Sequence, residues 1–229
     1  MRYKSTLLTV VLTSILIGQS NPAIYYKEGL TYSVTSKETR LILVAGLLAS
    51  GFAYKYDNTV QSYSQSHGLM PSPLAKVGDY WGTGGQVLLW GVILSSENKS
   101  EEFRYASTAF VANGLLTYGL KFGVGRERPD KSNKRAFPSG HTSNSFLTAT
   151  IAQEIYGSKI GIPAYILACI TGLSRIHDNK HYLSDVIFGA ALGTAVGKGF
   201  GKVYRNNKIP VIGIIPQNQI LQINLVWQL

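Results

Sequence analysis

The sequence predicts an all-α protein with a short strand-like tail. Three observations lead there. Most of the chain is a succession of charge-poor apolar stretches, each long enough for several helical turns and separated by polar connectors. One of these stretches carries Gly189, Gly193 and Gly197 at four-residue spacing, a row that lets a second helix approach closely. Strict two-residue alternation occurs only at the C-terminus, where Leu221, Ile223, Leu225, Trp227 and Leu229 fall on one side.

The elements follow in order. Residues 1–20 have the plan of a signal peptide: Arg2 and Lys4, an apolar core from Leu7 to Gly18, and the small residues Gly18 and Ser20. The expectation is export, with a mature chain starting near Asn21; an uncleaved anchor is the alternative. Residues 21–37 read as a surface arm or short helix. Leu41 to Tyr54 is uncharged and apolar and reads as a buried helix. Residues 57–80, rich in Ser, Gln, Gly and Pro, read as a loop. Helices are expected over 80–96, 104–124, 139–156, 160–173 and 184–204, with Pro163 in a first turn, where proline is tolerated. Residues 126–137 are a charged loop. The resulting domain plan is a helical domain over 21–208 and a tail over 209–229, a short β-hairpin or strand with Pro216-Gln217-Asn218 as its turn.

Composition narrows the partners. Apolar residues make up 45% and charged residues 15% of the 229, and mean hydropathy is +0.07. A soluble domain carries about 25% charged residues. The net charge of +10 calls for an anionic partner, either a phosphorylated substrate or an anionic membrane surface. The basic residues form no long run and no nucleic-acid motif, so nucleic acid is not expected. No uncharged window reaches the roughly 18–20 residues of a spanning helix, which favours a globular body touching a membrane over a multi-span protein. Cys169, in an apolar run, reads as a small buried residue. Oligomeric state leaves no mark.

The chemistry gathers in three clusters. In the first, Lys121 and Arg128 lie seven residues apart, near the helix end announced by Gly123 and Gly125. A lysine supplies a compact charge and an arginine a planar fork for phosphate oxygens. The second is Pro138-Ser139-Gly140-His141, at the start of an apolar helix. Ser139 is a good N-cap, Gly140 allows close backbone approach, and a helix N-terminus offers free N–H groups to an anion. His141 can give a proton to a leaving alkoxide. The third runs from Ser174 to Asp185. Here Arg175 completes a cationic clamp, and His181 and Asp185 share a face if helical. A carboxylate on one imidazole nitrogen leaves the other free as a nucleophile. A metal site is the alternative, since His177 and His181 are four apart with Asp178 and Asp185 nearby. It leaves Lys121, Arg128 and Arg175 unused, and cations repel a metal ion. His177 otherwise reads as a loop or substrate-edge residue and His67 as surface.

The ordered pattern Lys121-x6-Arg128-Pro129, Pro138-Ser139-Gly140-His141, Ser174-Arg175-x5-His181-x3-Asp185 resembles the three-part signature of the type-2 phosphatidic acid phosphatase family. That family shares a helical-bundle fold with class A acid phosphatases and vanadium-dependent haloperoxidases. The resemblance covers about residues 80–205. It implies that Lys121, Arg128 and Arg175, with Ser139 and the Gly140 amide, hold the phosphoryl oxygens. It implies that His181 attacks phosphorus, Asp185 orients His181, and His141 protonates the leaving oxygen, with no metal or cofactor. The expected activity is hydrolysis of a lipid phosphate monoester or pyrophosphate. A periplasmic acid phosphatase on soluble monoesters is the alternative, and a vanadate-dependent peroxidase or a non-catalytic envelope protein fits less well.

Overall fold

The computed structural model describes residues 22–207, 211–217 and 220–226, with side chains from 23 to 206. Eight helices fill the first stretch: α1 (Pro22–Thr35), α2 (Lys37–Tyr54), α3 (Asp57–His67), α4 (Ser72–Leu94), α5 (Lys99–Val124), α6 (Gly140–Tyr156), α7 (Ser158–His177) and α8 (Leu183–Asn207). The expected leader, residues 1–20, lies outside the described residues. In the tail, the backbone of β1 (Val211–Gln217) and β2 (Ile220–Val226) runs as an antiparallel pair, Val211 opposite Val226.

α6 and α8 form the centre of the bundle. The glycine row of α8 meets α6 without intervening side chains. A Cβ at Gly193 would stand 2.0 Å from the Ser143 carbonyl oxygen, and one at Gly189 2.7 Å from that of Ser139. This contact places the first turn of α8 against the first turn of α6. Around it Tyr105, Leu147, Ile151, Phe200 and Val203 are buried and build the core. α1 packs on the far end of α8, with Tyr25 and Tyr26 against Phe200.

Three expectations are corrected. Residues 57–80 are not a loop: they form α3 and the first turns of α4. α3 lies across one end of the bundle and binds the α7–α8 junction through polar groups, with Gln61 donating to Asn179 and Gln65 to the His177 carbonyl. Such a helix needs no apolar stripe. Pro73, one of the prolines in the stretch read as a loop, sits in the first turn of α4, where its missing N–H costs nothing. Cys169 is exposed rather than buried, on the outer side of a peripheral helix.

The third correction concerns α2, expected to be a buried helix. Its inward residues are small or polar (Gly46, Ser50, Ala53), and its large apolar residues point out, with Leu48 69% and Phe52 63% exposed. The same inversion recurs in Val87, Leu88 and Leu94 of α4, Leu115 and Phe122 of α5, and Ile160, Ile162 and Ile166 of α7. A water-facing surface of this kind would far exceed the apolar patches usual for soluble monomers, whereas small residues inside and large ones outside suit helices packed in lipid. By length and composition one described helix, Ser158–His177, qualifies to cross a membrane.

Candidate active site

The C-terminal ends of α2, α5 and α7 and the N-terminal ends of α6 and α8 meet at one end of the bundle, beneath α3. A cleft of about 470 Å³ opens there, with Lys121, Arg128, Gly140, His141 and His181 on its wall. α5 stops at Gly125, whose φ of 59° is the left-handed conformation a helix end takes most readily with glycine. The chain then reverses through the 126–137 loop, where Arg128 N–H donates to the Asn133 carbonyl at 3.0 Å and Ala136 N–H to that of Arg126 at 2.9 Å. Lys121 and Arg128 thus reach one space from a helix end and a loop, although the helix does not continue between them.

The buried Lys121 ammonium donates to the Arg135 and Pro138 carbonyls, at 2.7 and 2.6 Å. Arg175, on the last turn of α7, ion-pairs with Asp79 of α4 and lies 3.5 Å from Asp178. The Nε groups of Arg128 and Arg175 are buried and have no hydrogen-bond partner. Buried donors in native proteins are nearly always paired, so two unpaired guanidinium donors at one end of the bundle, Arg128 on the cleft wall and Arg175 near it, mark a place for an anion.

Ser139 is fully buried at the N-cap of α6. Its hydroxyl accepts from Thr142 at 2.9 Å and caps no backbone N–H, which leaves the first turn open toward the cleft. Its own N–H donates to the Asp185 carbonyl at 3.0 Å, tying α6 to α8. His141, one residue into the helix after Gly140, has Nε2 3.7 Å from Asp79 Oδ1.

His181 and Asp185 do not share a helical face, because α8 starts at Leu183 and His181 sits in the preceding turn. The turn nevertheless brings Nδ1 to 3.7 Å from Asp185 Oδ2, longer than a hydrogen bond. His181 is 2% exposed. Burial pushes its pKa down to about 4; the Asp185 carboxylate opposes this, and Lys121 and Arg128 reinforce it. The imidazole is therefore neutral at ordinary pH. His177 belongs to another surface, accepting from Leu69 N–H at 3.3 Å through Nδ1. It does not converge with His181. Among the described residues no three His, Cys, Asp or Glu side chains are grouped to hold a metal ion. His67 stacks on Tyr63 away from the cleft.

Sequence reasoning missed what stands behind His181. Arg126 Nη1 donates at 2.7 Å to both Asp185 Oδ1 and Ser184 Oγ, and Nη2 donates at 2.7 Å to Asp57 Oδ2. Asp57, the first residue of α3 and 3% exposed, accepts in turn from Ser184 N–H at 2.9 Å and Ser184 Oγ at 2.6 Å. Burial works against the Arg126 charge, but its bonds to Asp57 and Asp185 outweigh that and hold its pKa above the ordinary value. The Arg126 guanidinium, itself held by Asp57, locks Asp185 in place. Arg126 was visible as a third cation in the KFGVGRERP run; Asp57, far upstream in a polar stretch, gave no signal. Asp79 was hidden likewise in the residues read as loop.

A helical bundle with a cation-lined cleft at one end defines the class. Residues 103–209 match the family model described as the PAP2 superfamily. It is 36% identical over 121 residues to a lipid A 1-phosphatase of Porphyromonas gingivalis, covering 52% of this chain and 25% of that protein. It is 33% identical over 119 residues to the decaprenylphosphoryl-5-phosphoribose phosphatase of Mycobacterium tuberculosis, covering 48% and 64%. Both matches thus span less than two thirds of the relative's length. The fold is shared with the crystal structure of a transmembrane PAP2-type phosphatidylglycerolphosphate phosphatase from Bacillus subtilis, at TM-score 0.57 and 20% identity over 75% of this chain and 96% of that one. It is also shared with LpxE of Aquifex aeolicus, at TM-score 0.51 and 22% identity over 61% and 92%.

Proposed function

We propose that this protein is a phosphatase acting on a lipid phosphate through a phosphohistidine. The observation that carries the reading is the cleft that joins Lys121, Arg128 and a buried neutral His181, with the Nε donors of Arg128 and of the neighbouring Arg175 unpartnered. In this scheme Lys121, Arg128, Arg175, Ser139 and the Gly140 amide bind the phosphoryl oxygens. With its Nδ1 proton toward Asp185, His181 attacks phosphorus through Nε2, forming an N–P bond as the ester P–O bond breaks. His141 gives its proton to the leaving oxygen. The same histidine then takes a proton from water, whose oxygen displaces His181 and releases phosphate. Asp79 occupies Arg175 until substrate arrives. The cations stabilise charge on the transferring group throughout.

The decisive assay is phosphate release from a lipid phosphate in the presence of EDTA. We expect undiminished activity and inhibition by orthovanadate, which adopts the trigonal bipyramid of the transferring phosphorus. Acid-labile, base-stable phosphoenzyme should be trapped on quenching during turnover. Loss of activity in EDTA with recovery in zinc would instead support a metal-dependent site.

A lipid substrate is favoured over a soluble monoester by the outward apolar side chains of α2, α4, α5 and α7, which also favour embedding in the bilayer over the peripheral attachment expected from run lengths. We expect the protein to stay in the membrane fraction through carbonate and high-salt washes. Release by either wash would return the reading to a surface-bound body, since electrostatic attachment alone weakens with salt. Export of the site, cleavage near Asn21 and a single helical domain over 21–208 belong to the same proposal; N-terminal sequencing of the recovered protein tests the cleavage. The tail, 209–229, we read as a two-stranded appendage, and a hairpin of that size is marginal unless it packs on something.

A further inference from the structure

One hydroxyl on the cleft wall has no role in the phosphoryl-transfer scheme. Thr117 of α5 is 4% exposed and lines the cleft, yet its Oγ1 has no hydrogen-bond partner. A buried threonine in a helix has a ready acceptor in the carbonyl four residues back. Thr108, Thr148, Thr150 and Thr171 all use it, at distances between 2.7 and 3.0 Å. Thr39 donates to the Tyr32 carbonyl and Thr142 to Ser139 Oγ. Among the buried threonines of the described residues, Thr117 alone is unpartnered. Such a donor is unfavourable in the free protein and is tolerated where a ligand supplies the acceptor.

The position of Thr117 says which part of a ligand that is. It precedes Lys121 by four residues, so the two share a face of α5. Its methyl lies beside the first turn of α6: a Cβ at Gly140 would stand 3.6 Å from Thr117 Cγ2 and 3.7 Å from Lys121 Cε. The hydroxyl therefore borders two groups assigned to the phosphoryl oxygens, the Lys121 ammonium and the Gly140 amide. His141, assigned to the leaving oxygen, packs on α4 instead, where a Cβ at Gly82 would stand 2.7 Å from its Cδ2. Lys121 also needs help. Two of its three ammonium donors are committed to the Arg135 and Pro138 carbonyls, which leaves one for a ligand.

We infer that Thr117 is a further phosphate-binding residue, whose hydroxyl donates to a non-bridging phosphoryl oxygen beside Lys121. This rests on the phosphatase reading of the cleft and adds a neutral, directional donor to its cationic clamp. Because the hydroxyl bonds to nothing until an anion is present, its removal separates binding from folding.

The test uses the full-length protein in mixed micelles and two variants. Thr117→Val keeps the shape and loses the hydroxyl; Thr117→Ser keeps the hydroxyl. Dodecyl phosphate is the substrate probe, and orthovanadate affinity is measured directly by calorimetry. For Thr117→Val, kcat/KM should fall about tenfold to a hundredfold, the effect of one hydrogen bond to a charged group. Orthovanadate affinity should fall by a similar factor, since vanadate presents equivalent oxygens and no leaving chain. The Tm of the ligand-free variant should be unchanged or higher. Thr117→Ser should recover most of both losses. A kcat/KM within about threefold of wild type overturns the inference. So does a lowered kcat/KM with vanadate affinity unchanged, which would place the contact away from the phosphoryl group. A lowered Tm, or failure of Thr117→Val to fold, overturns it as well, because the hydroxyl would then have a structural partner. Absence of phosphate release by the wild type would count against the phosphatase reading alone, and the vanadate titration would still decide the Thr117 contact.

Discussion

Replacing His181 by alanine should reduce phosphate release by at least about 10⁴-fold, the order seen when a covalent nucleophile is removed. The acid-labile phosphoenzyme should vanish with it. Lys121, Arg128 and Arg175 remain in the variant, so orthovanadate should still bind, more weakly. Measured turnover within tenfold of wild type would rule His181 out as the nucleophile. The wild-type pH dependence follows from the same burial. An isolated imidazole loses its proton near pH 6.5, but His181 is held to about 4. The nucleophile therefore stays neutral as pH falls through 6, and the acid limb it imposes on kcat/KM should lie near 4. The stability effect has a defined sign. Between pH 6.5 and 4 the unfolded chain binds a proton on this residue that the folded chain does not, so His181 makes folding less favourable as pH drops through that window.

Arg126→Ala should cost both stability and rate. It leaves the buried carboxylates of Asp57 and Asp185 without the cation between them. Removing one member of such a buried network costs about 3–5 kcal/mol. For a chain of this size that is roughly 10 °C in Tm. The loss in kcat should exceed what the lowered stability explains at 25 °C, because Asp185 is free to move from His181. Arg126→Lys should restore much of the Tm but less of the rate, since an ammonium cannot span Asp57, Ser184 and Asp185 at once as the guanidinium does. If kcat is unchanged at a temperature where the alanine variant is folded, Arg126 has no part in positioning Asp185. Asp57→Asn offers an independent check, predicted to act in the same direction with smaller effect.

The sequence reading and the structure diverge in a consistent way. Residues whose chemistry is unusual for their neighbourhood were legible: Lys121, Arg128, His141, Arg175, His181 and Asp185 stand out in apolar or glycine-rich stretches, and the structure gathers them at one end of the bundle. The long apolar helices were legible for the same reason, as was the close approach announced by Gly189 and Gly193. The polar helix α3 was not. Its stabilisation comes from bonds to residues more than a hundred positions away, such as Ser64 to the Ile176 carbonyl, and no local pattern encodes that. Outward-facing leucines in α2 were misjudged because an apolar run does not say which solvent surrounds it. His181 and Asp185 met for a different reason than helical spacing, through the turn before α8.

The bridge between Asp57 and Ser184 also has a temporal side. The two residues are 127 positions apart, so while the chain is being made Asp57 emerges long before its partner. At about 5–20 residues per second the interval is roughly 6–25 seconds. Arg126 arrives near its midpoint and is available to neutralise Asp57 first, forming a provisional pair on the nascent chain. Asp185, His181 and Ser184 come later than Arg126, and only their docking completes the reactive end of the bundle. A ribosome-bound chain that ends before Leu183 is thus expected to hold a paired Asp57 and Arg126 while remaining chemically inert.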